Sequence, residues 1–167
     1  AAVLCKDEKK DGIYMIKIGS DGSKSDFLKC RALPLDTPFI DRENDTLGKE
    51  PDKIRLDGRE VFKFAVNKMS DGIKDVLEKT GFKIDDIKYI VPHQANERII
   101  EAAARKLSIS EDKFYMNIDK YGNTSGASIP IALDEMNRKG ILKPKDKIIL
   151  IGFGGGMTFG YALIEWN

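Results

Sequence analysis

The only histidine of the chain, His93, stands where the apolar run Ile87-Lys88-Tyr89-Ile90-Val91-Pro92 gives way to Gln94-Ala95-Asn96-Glu97-Arg98. Ile87, Tyr89, Ile90 and Val91 read as a buried strand, and Ile99, Ile100, Ala103, Ala104 and Leu107 then recur at helical spacing. His93 is therefore expected at the carboxyl end of a strand, the edge at which open α/β sheets bind ligands. Its imidazole exchanges a proton near neutral pH; a satisfied structural histidine is the competing reading. A second run, Tyr121-Gly122-Asn123-Thr124-Ser125-Gly126-Ala127-Ser128, joins a predicted strand to a predicted helix. Capping and turn formation account for one or two of those residues, not for the whole run. A third run carries Ile148-Ile149-Leu150-Ile151 into Gly152-Phe153-Gly154-Gly155-Gly156. A dinucleotide-binding fingerprint would need a glycine where Met157 stands and a helix after it, whereas residues 158–166 read as a strand. The cluster is thus predicted to be a tight strand-to-strand turn with bare backbone N–H groups.

These residue types support one kind of chemistry better than others. His93, through a ring N–H, and Asn123, through its side-chain NH₂, are neutral donors that strand ends of one sheet can aim into one pocket. There they would stabilise negative charge developing on a substrate oxygen, where a single such donor is typically worth ~3 kcal/mol in the transition state. Asparagine is neither base nor nucleophile, which weighs against a hydrolase triad, and His93 lacks the companions a zinc site needs.

Residues 91–98 (V-P-H-Q-A-N-x-R), 122–128 (G-N-T-S-x-A-S) and 153–158 (F-G-G-G-x-T) resemble, in order and spacing, the C-terminal signatures of the β-ketoacyl-acyl-carrier-protein synthase III family, of the thiolase fold. The resemblance runs over the whole chain. It implies the second half of a duplicated enzyme that condenses an acyl-CoA primer, acetyl-CoA being the expected one, with malonyl-acyl-carrier protein. CO₂ and CoA are released and fatty acid synthesis begins, in the cytoplasm and in a homodimer. His93 and Asn123 would be two members of a Cys-His-Asn triad whose cysteine lies in the absent N-terminal half, so this chain alone is expected to be inactive. Cys5 and Cys30 stand among Lys, Asp and Arg rather than at the head of a helix in a small-residue run, and neither is expected to replace it. The backbone N–H of Gly155 resembles the donor that holds the acyl carbonyl. Gly58, Phe62 and Phe153 would line the pantetheine tunnel, ordinary packing being the alternative for the phenylalanines. Gln94, Ala95, Asn96, Glu97 and Arg98, with Lys63, would meet the acidic carrier protein or coenzyme A phosphates, the alternative being ordinary solvated charge. Arg59 beside Gly58, and Glu97, depart from the family's usual residues and bear on docking. No metal and no resident cofactor are implied, acyl-CoA being a substrate. A chalcone-type or 3-hydroxy-3-methylglutaryl-CoA synthase half, and a non-catalytic α/β packing module, are the alternatives.

The elements that must position these residues can be read along the chain. With 41% hydrophobic residues in 167, one core can be buried, and 28 basic against 27 acidic side chains argue against nucleic acid as the main partner. No apolar run approaches a membrane span. Cys5 and Cys30 are expected as free thiols, a disulfide between them being the alternative. By the resemblance, residues 1–11 hold the last strand and turn of the missing N-terminal half, and 12–167 the C-terminal thiolase-like domain. A strand is predicted over 13–18 and a long loop over 31–57. A helix follows over 61–79, with Phe62, Ala65, Met69, Ile73, Val76 and Leu77 as its apolar stripe and Gly81 as its stop. After the His93 strand come a helix over 96–107, a short strand at 114–116 and a helix over about 124–139. Pro130 should bend that last helix or lie in its first turn. Strands over 147–153 and 157–166 close the chain. The order predicts an α/β fold, a thiolase-like half in which a mixed, mostly parallel five-stranded sheet carries helices on both faces.

Overall fold

The computed structural model describes residues 12–30 and 54–167. The expectations for residues 1–11, for Cys5 and for most of the loop over 31–57 lie outside the described residues. Strand β1 (Ile13–Ser20) leads through a 3₁₀ turn to the short strand β2 (Leu28–Cys30), and β3 (Ile54–Leu56) pairs antiparallel with β2. The end of the predicted loop is thus a strand rather than irregular chain. Helix α1 (Gly58–Thr80), strand β4 (Ile87–Pro92) and helix α2 (Glu97–Leu107) follow. Next come a one-turn helix α3 (Ile118–Tyr121), helix α4 (Ser128–Arg138) and the closing strands β5 (Lys147–Gly154) and β6 (Thr158–Glu165).

Among the described residues the main sheet has four strands in the order β1-β6-β5-β4. Only β4 and β5 run parallel; β5–β6 and β1–β6 are antiparallel. The α/β class holds, with helices on both faces, but the expectation of a mostly parallel, five-stranded sheet gives way to a mostly antiparallel, four-stranded one. The reason is local. The glycine turn folds β6 straight back on β5, β1 then adds to the antiparallel side of β6, and the predicted strand at 114–116 makes only one bridge, Phe114 with Ile90.

Period-two alternation in the sheet separates two cores. Ile90, Ile149, Ile151, Tyr161 and Leu163 meet α1 and α2, whereas Val91 and Ile148 meet Ala132 and Met136 of α4. Helix α1 starts at Asp57, whose carboxylate accepts from Glu60 N–H at 3.0 Å, and stops at Gly81, whose φ of 74° is the left-handed value a bare residue adopts freely. Gly72, midway along α1, lets the helix sit down on the sheet: a Cβ there would stand 2.7 Å from Ile151 Cδ1 and 2.8 Å from Tyr161 Cδ1. Asp75 lies one helical turn further on. Read from sequence it is a solvent-side partner of Lys79, and that ion pair forms at 2.9 Å. The same carboxylate also accepts from Tyr161 Oη at 2.6 Å and Lys17 Nζ at 3.2 Å, so it ties α1 to β6 and β1. The Tyr161 hydroxyl, with Lys79 and Lys17, holds the Asp75 carboxyl well below the usual range.

The α4 face of the sheet is covered only in part. Ile16 and Ile18 of β1 are 62% and 83% exposed on an edge strand, and Ile54 and Leu56 of β3 are open as well. Apolar surface gathered in this way marks a face that something else covers.

Replacing Gly72 with valine is expected to lower stability by about 1–3 kcal/mol, because the overpacking penalty against Tyr161 outweighs the gain in helix propensity. A shift of the urea midpoint at unchanged m-value checks this.

Candidate active site

His93 follows β4 by one residue, and its backbone continues the parallel ladder, N–H to the Ile151 carbonyl at 2.7 Å. Its ring is half-buried. Nδ1 lies 2.7 Å from Ser128 Oγ at the head of α4, and the ring meets Phe153 edge-on with centroids 5.3 Å apart. Burial pushes the imidazole pKa down from 6.5, so at pH 7 the ring is neutral and carries one N–H.

Asn123 is held by a tight turn. Gly122 takes φ 67°, ψ −162°, a combination almost confined to glycine, and Ser125 sits at φ 53°. The payoff is orientation. Ser125 N–H donates to Asn123 Oδ1 at 3.0 Å, and since a backbone N–H can only donate, the amide oxygen must face it. The NH₂ group is left free, with no partner among the described residues.

A cleft of about 1200 Å³ collects these groups: His93, Asn123, Gly155, Phe62, Phe153 and Gly58 all line it. Gly155 belongs to the turn between β5 and β6, and no partner for its N–H appears among the described residues. Every residue predicted for catalysis or for the tunnel therefore meets in one place. The docking set divides. Ala95 and Asn96 reach the cleft, while Glu97 and Arg98 are exposed on the first turn of α2, where Asn96 Oδ1 caps Arg98 N–H at 3.0 Å. Arg98 has no ion-pair partner among the described residues, whereas Lys63 is engaged by Glu60 at 2.6 Å.

Gln94 departs from its expectation. Its side chain is 1% exposed and points inward, donating to the carbonyls of Pro92 at 2.9 Å and Tyr115 at 3.1 Å while Oε1 accepts from Asn117 N–H at 3.2 Å. A buried amide whose bonds are filled by backbone is a brace, not a docking group. The brace continues. Asn117 Nδ2 donates to Glu135 Oε2 at 2.8 Å, and Lys120 (2.9 Å) and Lys139 hold Glu135 Oε1. The residues that precede Asn123 are thereby fastened to α4 and to the strand end of His93. Reading the sequence alone gives no role to Ser128, Asn117 or Glu135. Glu135 did leave a signal, as a carboxylate on the apolar face of α4 beside the buried Ala132 and Met136.

The fold defines a thiolase-like α/β unit. The structure of the synthase III from Pseudomonas aeruginosa PAO1 superposes with a TM-score of 0.81 at 34% identity, covering 96% of this chain and 47% of that one. The Aquifex aeolicus VF5 enzyme gives 0.80 at 39%, over 96% and 46%. The β-ketoacyl-acyl-carrier-protein synthase III of Clostridium novyi (strain NT) is 58% identical over all 167 residues, and the chain spans half that relative's length. Residues 77–166 match the family described as 3-oxoacyl-[acyl-carrier-protein] synthase III C terminal. The chain belongs to that family.

The Lys120 ammonium, with Lys139 and the Asn117 amide, holds the Glu135 carboxyl at about 2, below its ordinary 4.5. The unfolded chain therefore binds more protons between those values, and stability falls as pH drops from about 4.5 toward 2. Glu135→Gln is expected to flatten the pH dependence of urea stability in that window. An unchanged slope would mean that the brace contributes nothing to folding.

Proposed function

We propose that this chain supplies the decarboxylation half of a β-ketoacyl-acyl-carrier-protein synthase III active site. The observation that carries the reading is the convergence of the free Asn123 NH₂, the neutral His93 ring and the bare Gly155 N–H on one cleft. In the condensation, the bond between the malonyl carboxylate and the α-carbon breaks, CO₂ leaves, and its electron pair becomes an enolate on the thioester oxygen. His93 and Asn123 donate to that oxygen. The α-carbon then attacks an acyl group held as a thioester on a cysteine, and the thiolate departs. The cysteine would come from the part of the relatives' length that this chain does not span, and its acyl carbonyl would take the Gly155 N–H. Neither His93 nor Asn123 need gain or lose a proton, which suits a neutral imidazole and an amide.

Phe62 and Phe153 form apolar walls that keep the reacting oxygen dry, and the primer is an acyl-CoA. The exposed Arg98, two residues past the cleft-lining Asn96, would receive the acidic carrier protein or a coenzyme A phosphate. The remainder of a full-length, homodimeric, cytoplasmic enzyme would cover the open face of β1. Among the described residues no helix is long and apolar enough to cross a membrane.

In the full-length enzyme, His93→Ala and Asn123→Ala are each expected to lower malonyl decarboxylation by about 10²–10³-fold while acyl transfer to the cysteine survives in larger part. Labelled CO₂ release measured apart from acyl-enzyme formation checks this, and normal release in both variants would sink the assignment. Arg98→Glu should raise KM for malonyl-carrier protein more than it lowers kcat and should weaken the salt dependence of that KM. Should neither change, Arg98 is a solvated helix residue and no docking group.

A further inference from the structure

We infer that Ser128 is a positioning residue that fixes His93 as the Nε2–H tautomer and so aims the ring's single proton into the cleft. The inference rests on the donor role proposed for His93 and deepens it. A neutral imidazole has its proton on one nitrogen or the other, and only one choice lets the cleft-facing nitrogen donate.

The surroundings of Ser128 Oγ decide between them. The side chain is 2% exposed, so water does not serve it. The oxygen lies 2.7 Å from His93 Nδ1 and accepts from the backbone N–H of Gln94 at 3.3 Å. A backbone N–H can only donate, so one lone pair of the hydroxyl is taken. If Nδ1 also carried a proton, the oxygen would accept twice and its own proton would be left buried without an acceptor, because no other acceptor for Oγ appears among the described residues. If Nδ1 is bare, every group is satisfied: Gln94 N–H donates to Oγ, and O–H donates to Nδ1. The ring's proton then resides on Nε2, on the far side of the ring from Ser128.

Position is fixed along with tautomer. Ser128 is the first residue of α4, whose Ala132 and Met136 are packed against Val91 and Ile148. The hydroxyl is thus carried by a buried helix, and the edge-on contact with Phe153 limits rotation of the imidazole about its other axis. The same helix, through Glu135, anchors the chain leading to Asn123. One rigid element therefore sets both donors.

The test uses the full-length enzyme labelled with ¹⁵N at histidine, with His93→Ala identifying the His93 signals. The wild type is expected to show a protonated Nε2 and a bare, hydrogen-bonded Nδ1. In Ser128→Ala the Nδ1 signal should move toward the protonated position as the tautomers mix, and kcat for CO₂ release should fall about 10–100-fold, less than outright loss of a donor, with KM little changed. Ser128→Thr keeps the hydroxyl and should keep both the Nε2–H signature and most of the rate. A wild-type Nδ1–H tautomer, or a Ser128→Ala enzyme with the wild-type spectrum and rate, would overturn the inference. Failure of the condensing role looks different: His93→Ala would then release CO₂ normally while the tautomer still responded to Ser128→Ala.

Discussion

The bond from His93 N–H to the Ile151 carbonyl is the constraint on which the rest of the site depends. It carries the parallel ladder of β4 and β5 one residue past the end of β4, so the backbone of His93 is as fixed as a sheet residue although its side chain belongs to the cleft. Ladder geometry then decides the neighbours. β5 continues into the glycine turn, and the hairpin partner β6 returns at once, which sets the ring of Phe153 against the imidazole and brings Gly155 to the same cleft. The mostly antiparallel character of the sheet is thus part of how the site is built.

Asn123 poses the harder problem, because it stands on irregular chain. A non-glycine residue in the left-handed region costs on the order of 1 kcal/mol or more, and Ser125, at φ 53°, holds that conformation two residues after Asn123. The brace of Gln94, Asn117, Glu135 and Lys120 offsets that cost from one side. A buried carboxylate without partners would be penalised, but here two ammonium groups and an amide surround Glu135. A satisfied polar network of this kind fixes one geometry where an apolar contact would tolerate several. It begins at Gln94, the residue after His93, and ends at Glu135 on α4, so the strand end that carries His93 and the chain that leads to Asn123 are tied to the same network.

What the sequence made legible follows from the range of each interaction. His93 at a strand end, Gly81 as a helix stop, the glycine cluster as a strand-to-strand turn, and Pro130 inside a helix's first turn all rest on signals within a few residues, and the structure has each of them. Strand direction came through where it is local, the glycine turn returning β6 antiparallel on β5, but not for β1, which joins β6 across most of the chain with nothing in Ile13–Ser20 to announce an antiparallel partner. Short apolar runs likewise do not say how many ladder bonds they will make; Phe114 makes one bridge and Ile54–Leu56, inside a stretch without periodicity, makes a strand. Gln94 was misread for a related reason. Its place in a polar run next to Arg98 reads as surface, and only the approach of Tyr115 and Asn117 from another loop turns it inward.

Under the proposed function, the neutrality of His93 and Asn123 can be argued from what a decarboxylation must avoid. A cation in the cleft would bind the malonyl carboxylate in the ground state at least as well as the enolate that replaces it, and binding both equally does not speed the step. Donors aimed at the thioester oxygen gain strength only as charge arrives there. The molecule keeps to that rule: burial holds His93 in its uncharged form, Asn123 is an amide, and the nearer walls are Phe62 and Phe153. Its cations are elsewhere. Lys63 is neutralised by Glu60, Lys120 is spent on Glu135, and Arg98 stands outside on α2, where it can attract an acidic partner without reaching the reacting carboxylate. Separation of charge from donor, more than any single contact, is what would let one cleft both recruit an anionic substrate and expel CO₂ from it.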